Sequence, residues 1–202
     1  MKELHRQALR RAEKTKSKLI QLKFDELNVL KEIDALYAGL EMDNRKQFRF
    51  VWRERYREIW TYLKGKEPDE DILDELVDIS LAALTEEPNK LTKYVYETEA
   101  LRKRDRAREA VLAAPTKMQK QLEIDKAIRI WSQMTDFYVD IAEDDASETA
   151  MKDAGVKKVR WMVYGDDRVC SQCEDLNGTV WDIGRVPDKP HLRCRCYLIP
   201  IT

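Results

Sequence analysis

The chain has 202 residues, of which 37% are charged and 43% hydrophobic, so one or two domains can bury a core without disulfides. Its 37 basic and 38 acidic side chains nearly cancel, which excludes a global attraction to nucleic acid or membranes. No apolar run approaches the roughly 20 residues of a membrane span and none resembles a signal peptide, so we expect a protein kept in a reducing cytoplasm and no membrane partner.

Helical patterns fill the sequence as far as Gly155. Strong helix formers, interrupted only by Gly39, predict a first amphipathic helix over residues 2–40. Its first turns are mostly charged and form a modestly basic arm. The pair Asp43–Asn44 is an N-cap signal, which predicts a separate second helix ending near Gly65.

Aromatic residues recur at helical spacing in the second predicted helix: Trp52, Tyr56, Trp60 and Tyr62. We interpret them as core and not as a base-stacking platform, because aromatic residues at this spacing are usually buried. Pro68 and the acidic residues after it open a third helix. Four aliphatic residues of that helix are expected to point inward: Ile72, Leu76, Ile79 and Leu84.

Two further helices are predicted over residues 90–113 and 116–154, the second with Gly155 at its C-terminus. Pro115 between them marks the predicted domain boundary. Residues 1–114 would form a helical body, and residues 115–202 a long helix followed by a compact module at about 155–202.

Two charged clusters in these helices have ordinary explanations. The densest basic run, Arg102–Arg108, is typical of a solvated helix face, with nucleic-acid or portal contact as the alternative. The acidic cluster Glu143–Asp145 has no histidine, serine or glycine-rich loop near it in sequence. We therefore expect no catalysis there and no enzyme.

After Gly155 the pattern changes to alternation. Val159, Trp161 and Val163 face one way, which predicts a strand. The turn signal Asn177–Gly178 precedes a second strand over residues 179–183. A third strand is predicted over residues 193–199.

All four cysteines lie in this module, together with one of the two histidines. The candidate metal ligands are Cys170, Cys173, His191, Cys194 and Cys196. In a reducing compartment, closely spaced cysteines are more often metal ligands than disulfides. Four ligands fill a structural zinc site, so either the four cysteines bind the ion or His191 replaces Cys194 or Cys196.

Disulfides, a redox pair or free thiols are the alternatives to zinc. A thioredoxin-like pair should open a helix, whereas Cys170 and Cys173 are expected to lead into a hairpin. A closed four-ligand site leaves no position for water, so its predicted role is structural. The predicted fold class is mainly α with a small α+β C-terminal module: a long-helix bundle followed by a three-stranded antiparallel zinc-stapled sheet.

Residues 154–201 resemble the C-terminal module of the phage head morphogenesis family, the Mu F-like minor head proteins. The resemblance rests on the ordered string AGVKKVRWMVYGDDRVCSQCEDLNGTVWDIGRVPDKPHLRCRCYLIPI. It includes the tryptophan strand, the Asp-Asp-Arg turn, the Asn-Gly turn and the final histidine and cysteines. Leu192 departs from the pattern, because family members usually have proline after the histidine.

The resemblance implies a virion protein of the phage head, present in few copies and assembled in the host cytoplasm with portal protein and other head proteins. Portal symmetry would allow an oligomer, and Lys/Arg clusters would allow contact with packaged DNA. The alternative is a zinc-ribbon-like nucleic-acid-binding protein. Four residues beside the ligands are candidates for partner binding, with local turn or edge-strand roles as the simpler explanation: Asp167, Arg168, Arg193 and Arg195.

Overall fold

A computed structural model describes residues 26–86, 99–165, 169–190 and 194–201. Its elements in chain order are α1 (Glu26–Lys64), α2 (Glu70–Glu86), α3 (Glu99–Ala113), α4 (Lys117–Asp153), β1 (Lys158–Met162), α5 (Ser171–Leu176), β2 (Val180–Asp182), a 3-10 turn (Ile183–Arg185) and β3 (Tyr197–Ile201). The coarse class is confirmed: the protein is mainly helical, with a small three-stranded antiparallel sheet near the C-terminus. Among the described helices, none combines the length and apolar character that crossing a membrane requires.

The predicted break between the first two helices is wrong. Helix α1 is continuous from Glu26 to Lys64 and passes through Asp43–Asn44, where Asn44 is a buried residue inside the helix. A lone Gly39 costs only about 1 kcal/mol inside a helix, and no proline follows it before Pro68. The predicted start near Lys2 and the stretch 90–98 of the fourth predicted helix lie outside the described residues.

The chain divides into two compact units, Met1–Gln47 with Thr85–Tyr138, and Phe48–Leu84 with Val139–Thr202. The predicted boundary at Pro115 stays a prediction. Within the first unit, apolar residues of three helices are buried: Ile33, Tyr37, Ala107, Val111, Ile124, Ala127 and Tyr138. Arg108 also donates to both carboxylate oxygens of Asp34 at 2.6 Å, so this part of the basic run joins α3 to α1.

The second unit has an aromatic core on the C-terminal half of α1. Trp52 and Tyr56 are buried, as predicted, and so is Phe48. Trp60 is half-buried, whereas Tyr62 is exposed and does not belong to the core. Small residues of α4 are also buried here: Ala142, Ala146 and Ala150. Trp52 Nε1 donates to Asp145 at 2.7 Å and the Tyr56 hydroxyl to Asp153 at 2.8 Å, so α1 and α4 are joined by hydrogen bonds as well as by packing.

Helix α2 is rotated from its predicted orientation. Leu73 and Val77 are buried, whereas Ile72 and Ile79 are exposed. Acidic residues of α2 form ion pairs with arginines of α1: Glu70 with Arg53 and Arg57, Asp74 with Arg53, and Asp78 with Arg49. By helical spacing these acidic residues share a face with Leu73 and Val77 and not with Ile72 and Ile79, so the ion pairs agree with the observed orientation.

The sheet has the order β2-β1-β3, with β1 antiparallel to both neighbours. The inner face of β1 carries Val159 and Trp161, both buried. Strand β3 begins at Tyr197 and not near residue 193, so the prediction that Cys194 and Cys196 lie on a strand is wrong. The irregular backbone at 194–196 nevertheless buries both cysteines.

Candidate metal centre

The first cysteine pair opens a short helix. Cys170 is the N-cap of α5 and accepts a hydrogen bond through Sγ from the backbone N–H of Cys173 at 3.4 Å. The expectation that this pair leads directly into a hairpin is therefore wrong, since local capping closes one helical turn first. Gly178, at φ +77°, then reverses the chain into β2.

Three thiols converge from two distant segments. The Sγ atoms of Cys173, Cys194 and Cys196 all lie within 4.8 Å of one another, and the Cys173 and Cys194 sulfurs are 3.4 Å apart. A tetrahedral zinc ion with Zn–S bonds of about 2.3 Å requires sulfurs about 3.8 Å apart. The three thiols are therefore close enough to hold one metal ion.

Two residues, Cys170 and His191, are candidates for a fourth ligand. Cys170 is half-buried and packs against the cluster formed by the other three cysteines. His191 lies outside the described residues, as do Asp167, Arg168 and Arg193. All four cysteines are free thiols, and the observed convergence of three of them is more than a two-cysteine redox pair would need.

The cysteine cluster is buried and includes a side-chain N–H without an acceptor in the described part of the chain. Trp161 packs with the three buried cysteines, and its buried Nε1–H has no hydrogen-bond partner among the described residues. A buried donor without an acceptor is costly. Three converging cysteine sulfurs in a buried cluster fit a thiolate-bound cation.

Two of the thiols, those of Cys173 and Cys194, have a raised pKa. Burial, and then hydrogen bonds with the Cys170, Cys194 and Cys196 thiols, raise the pKa of Cys173. Burial also raises the pKa of Cys194. A divalent cation has the opposite effect, since it binds the thiolate form and releases the proton.

A lysine that the sequence did not single out supports the cysteine segment. Lys189 Nζ donates to the backbone carbonyl of Cys194 at 3.1 Å and to Asp144 of α4 at 2.8 Å. Neither contact is visible in the sequence, because Asp144 lies 45 residues from Lys189 and the acceptor on Cys194 is a backbone carbonyl. The only sequence signal was the position of Lys189 in the proline-bearing loop that precedes the last two cysteines.

The acidic cluster of α4 has structural partners. Asp144 pairs with Lys189, and Asp145 accepts from Trp52. Burial raises the pKa of Asp144 to about 6, against the opposing effect of Lys189. Arg55 of α1 donates to Ser147 at 2.8 Å. These contacts give the cluster a role in packing α4.

Of the four candidate partner-binding residues, Arg195 alone belongs to the part of the chain that the structure describes. It is exposed, and its guanidinium lies 5.9 Å from the centre of the Tyr164 ring. The Tyr164 and Tyr197 rings are 5.2 Å apart. An arginine beside exposed aromatic rings is suited to contact with either protein or nucleic acid.

Comparison with protein-family models, with curated proteins and with solved structures finds no match to this chain.

Proposed function

We propose that this chain is a minor head protein of a bacteriophage whose C-terminal module is held together by one structural zinc ion. Its helices and outer strand face would dock to portal protein and other head proteins during assembly. Cys170, Cys173, Cys194 and Cys196 would supply four thiolates, with His191 as the alternative fourth ligand. Such a closed site stabilises a fold and leaves no position for substrate.

One observation supports the proposal: the tryptophan strand, the Asn-Gly turn and three of the cysteines on which the family resemblance rests lie close together in space. Trp161 packs with Cys173, Cys194 and Cys196 in a single cluster. The Asn177–Gly178 turn is joined to the tryptophan strand, because Gly178 N–H donates to the Trp161 carbonyl at 2.8 Å and Val163 N–H to Asn177 Oδ1 at 3.3 Å. These described parts of the motif form one packed unit, which supports the proposal.

Metal analysis tests the zinc site directly. Protein purified under reducing conditions should contain about one zinc per chain, and Cys173→Ser should lose it. Protein without metal but with intact disulfides would overturn the zinc assignment.

The assembly role needs a separate test. Mass spectrometry of purified phage particles should detect this chain at low copy number, and the chain should co-purify with portal protein. Its absence from particles and from portal complexes would overturn the head-protein role even if zinc is present.

The nucleic-acid alternative is favoured by the exposed Arg195 beside Tyr164 and Tyr197. In that case the isolated chain would bind DNA with an affinity that falls steeply with salt, because phosphate contacts release counterions. Arg195→Gln would then reduce the slope of the salt dependence by about one. Under the head-protein proposal, this substitution leaves the chain in portal complexes.

A further inference from the structure

The outer face of the sheet carries apolar side chains that the described residues leave partly uncovered. Directly opposed residues of antiparallel strands project to the same face, so the register of β1 with β2 and β3 defines that face. Its members are Lys158, Arg160, Met162, Val180, Asp182, Tyr197, Ile199 and Ile201. Val180 is 47% exposed and Tyr197 is also exposed, in contrast to the buried Val159 and Trp161 of the inner face.

This outer face has an unbalanced positive charge. Lys158 is neutralised by Asp182, with 3.2 Å between Nζ and Oδ1. Arg160, in the middle of the central strand, is exposed and makes no ion pair with the described residues. A partner that covers this face must therefore supply apolar side chains together with a carboxylate opposite Arg160.

The same chain displays a complementary surface on α2. Ile72 and Ile79 are 52% and 57% exposed, and Glu75 lies between them on the same helix face. The other acidic residues of α2 include Glu70, Asp74 and Asp78, which are engaged by arginines of α1. Glu75 makes no ion pair with the described residues.

The two surfaces have matching dimensions. Ile72 and Ile79 are two helical turns apart, about 10 Å along the axis. Val180 and Tyr197 lie on opposite sides of β1, at neighbouring positions of the outer face, and are therefore about 12 Å apart. Arg160 lies between these two residues on the sheet, as Glu75 lies between the two isoleucines on the helix.

We propose that α2 of one copy docks on the outer sheet face of a second copy, with Glu75 against Arg160 and the two isoleucines against Val180 and Tyr197. The contact joins two different surfaces, so each copy retains one free helix and one free sheet face. Repetition of such a heterologous contact produces a closed ring or an open filament. This inference goes beyond the proposed function and does not depend on it.

Charge reversal provides a selective test. Glu75→Arg and Arg160→Glu should each raise the dissociation constant of the wild-type assembly at least about tenfold, because like charges would meet in the contact. An equimolar mixture of the two variants should assemble again, since each new contact pairs Arg with Glu. The double variant should assemble by itself for the same reason. Masses would be measured by sedimentation equilibrium over a range of concentrations.

The matched control is Glu109→Arg, which reverses an exposed charge on α3 and should leave the mass unchanged. Circular dichroism of each variant checks that its helices are intact. A wild-type chain that stays monomeric up to about 100 μM would overturn the proposal. An assembly whose dissociation constant is unchanged by both charge reversals would also overturn the proposal. So would an Arg160→Glu variant that loses only DNA binding, which would assign the sheet face to nucleic acid.

Discussion

Lys189 Nζ lies 2.6 Å from Asp144 Oδ2 while it donates to the Cys194 carbonyl, so one ammonium group joins helix α4 to the cysteine segment. This placement makes Lys189 a positioning residue for the proposed metal site. A hydrogen bond to the Cys194 carbonyl helps to fix the backbone that carries the ligand side chains. The packing of α4 and the geometry of the thiols are therefore linked.

Replacement of Lys189 by Met should loosen the cysteine segment. We expect metal release to a chromogenic chelator about tenfold faster than in the wild-type chain, because loss of a group that holds the ligands in place typically weakens metal binding by at least that factor. Lys158→Met is the matched control, because it removes an exposed ion pair on the outer sheet face. Equal release rates from the two variants would contradict the positioning role.

Asp144 should make stability depend on pH. Its folded-state pKa of about 6 is above the usual 3.8, so Asp144 binds more protons in the folded chain between these values, and its own contribution to the free energy of unfolding falls as pH rises from about 4 to 6. The groups that act on Asp144 are Lys189, Glu143 and Arg55. Because its side chain is 44% exposed, solvent screening reduces the effect to about 1 kcal/mol.

Urea unfolding at several pH values measures this dependence in the metal-loaded protein. The free energy of unfolding of the wild-type chain minus that of Asp144→Asn should fall between about pH 4 and 6, because the metal's own pH dependence is common to both. The curve of Asp182→Asn, an exposed control on β2, should run parallel to the wild-type curve. Parallel curves for the wild-type chain and the Asp144 variant would exclude Asp144 as the source.

Local sequence signals located most helices and strands, but which helix face is buried and which residues support the cysteines depended on tertiary contacts. Periodicity and Gly155 placed α4 well, since that information is local. Helix α2 has apolar residues on more than one face, so periodicity alone could not choose between Ile72 and Leu73 as the inward residue; that choice required the folded chain, in which Leu73 is buried and Ile72 exposed. Likewise, spacing identified the cysteines as one site, whereas the support from Lys189 required the folded chain.

Cys170 has two separable roles, as helix cap and as proposed ligand. Cys170→Ser retains an N-cap acceptor, so α5 should form while zinc affinity falls. Cys170→Ala removes both functions and should cost about 1 kcal/mol more in stability. Zinc titration and urea unfolding of the two variants measure these effects. If both variants retain one tightly bound zinc, Cys170 is not a ligand and His191 becomes the fourth.

Gly155 ends α4 by a left-handed backbone conformation, with φ +84°. Its N–H donates to the Lys152 carbonyl and that of Val156 to the Met151 carbonyl, both at 2.9 Å, which is the Schellman pattern. Val156 also packs on the cluster of Met151 and Val159, so this turn directs the chain from α4 into β1.

Gly155→Ala should destabilise the protein by about 1 kcal/mol, because a Cβ disfavours positive φ. The position is otherwise open, with nothing within 4 Å of an added Cβ, so the loss would report backbone conformation and not a clash. Gly184→Ala is the matched control, since that site is equally open and has no positive φ. Urea unfolding should show a lower stability for Gly155→Ala than for Gly184→Ala. Equal stabilities would show that the turn tolerates alanine and that the packing of Val156 specifies the end of α4.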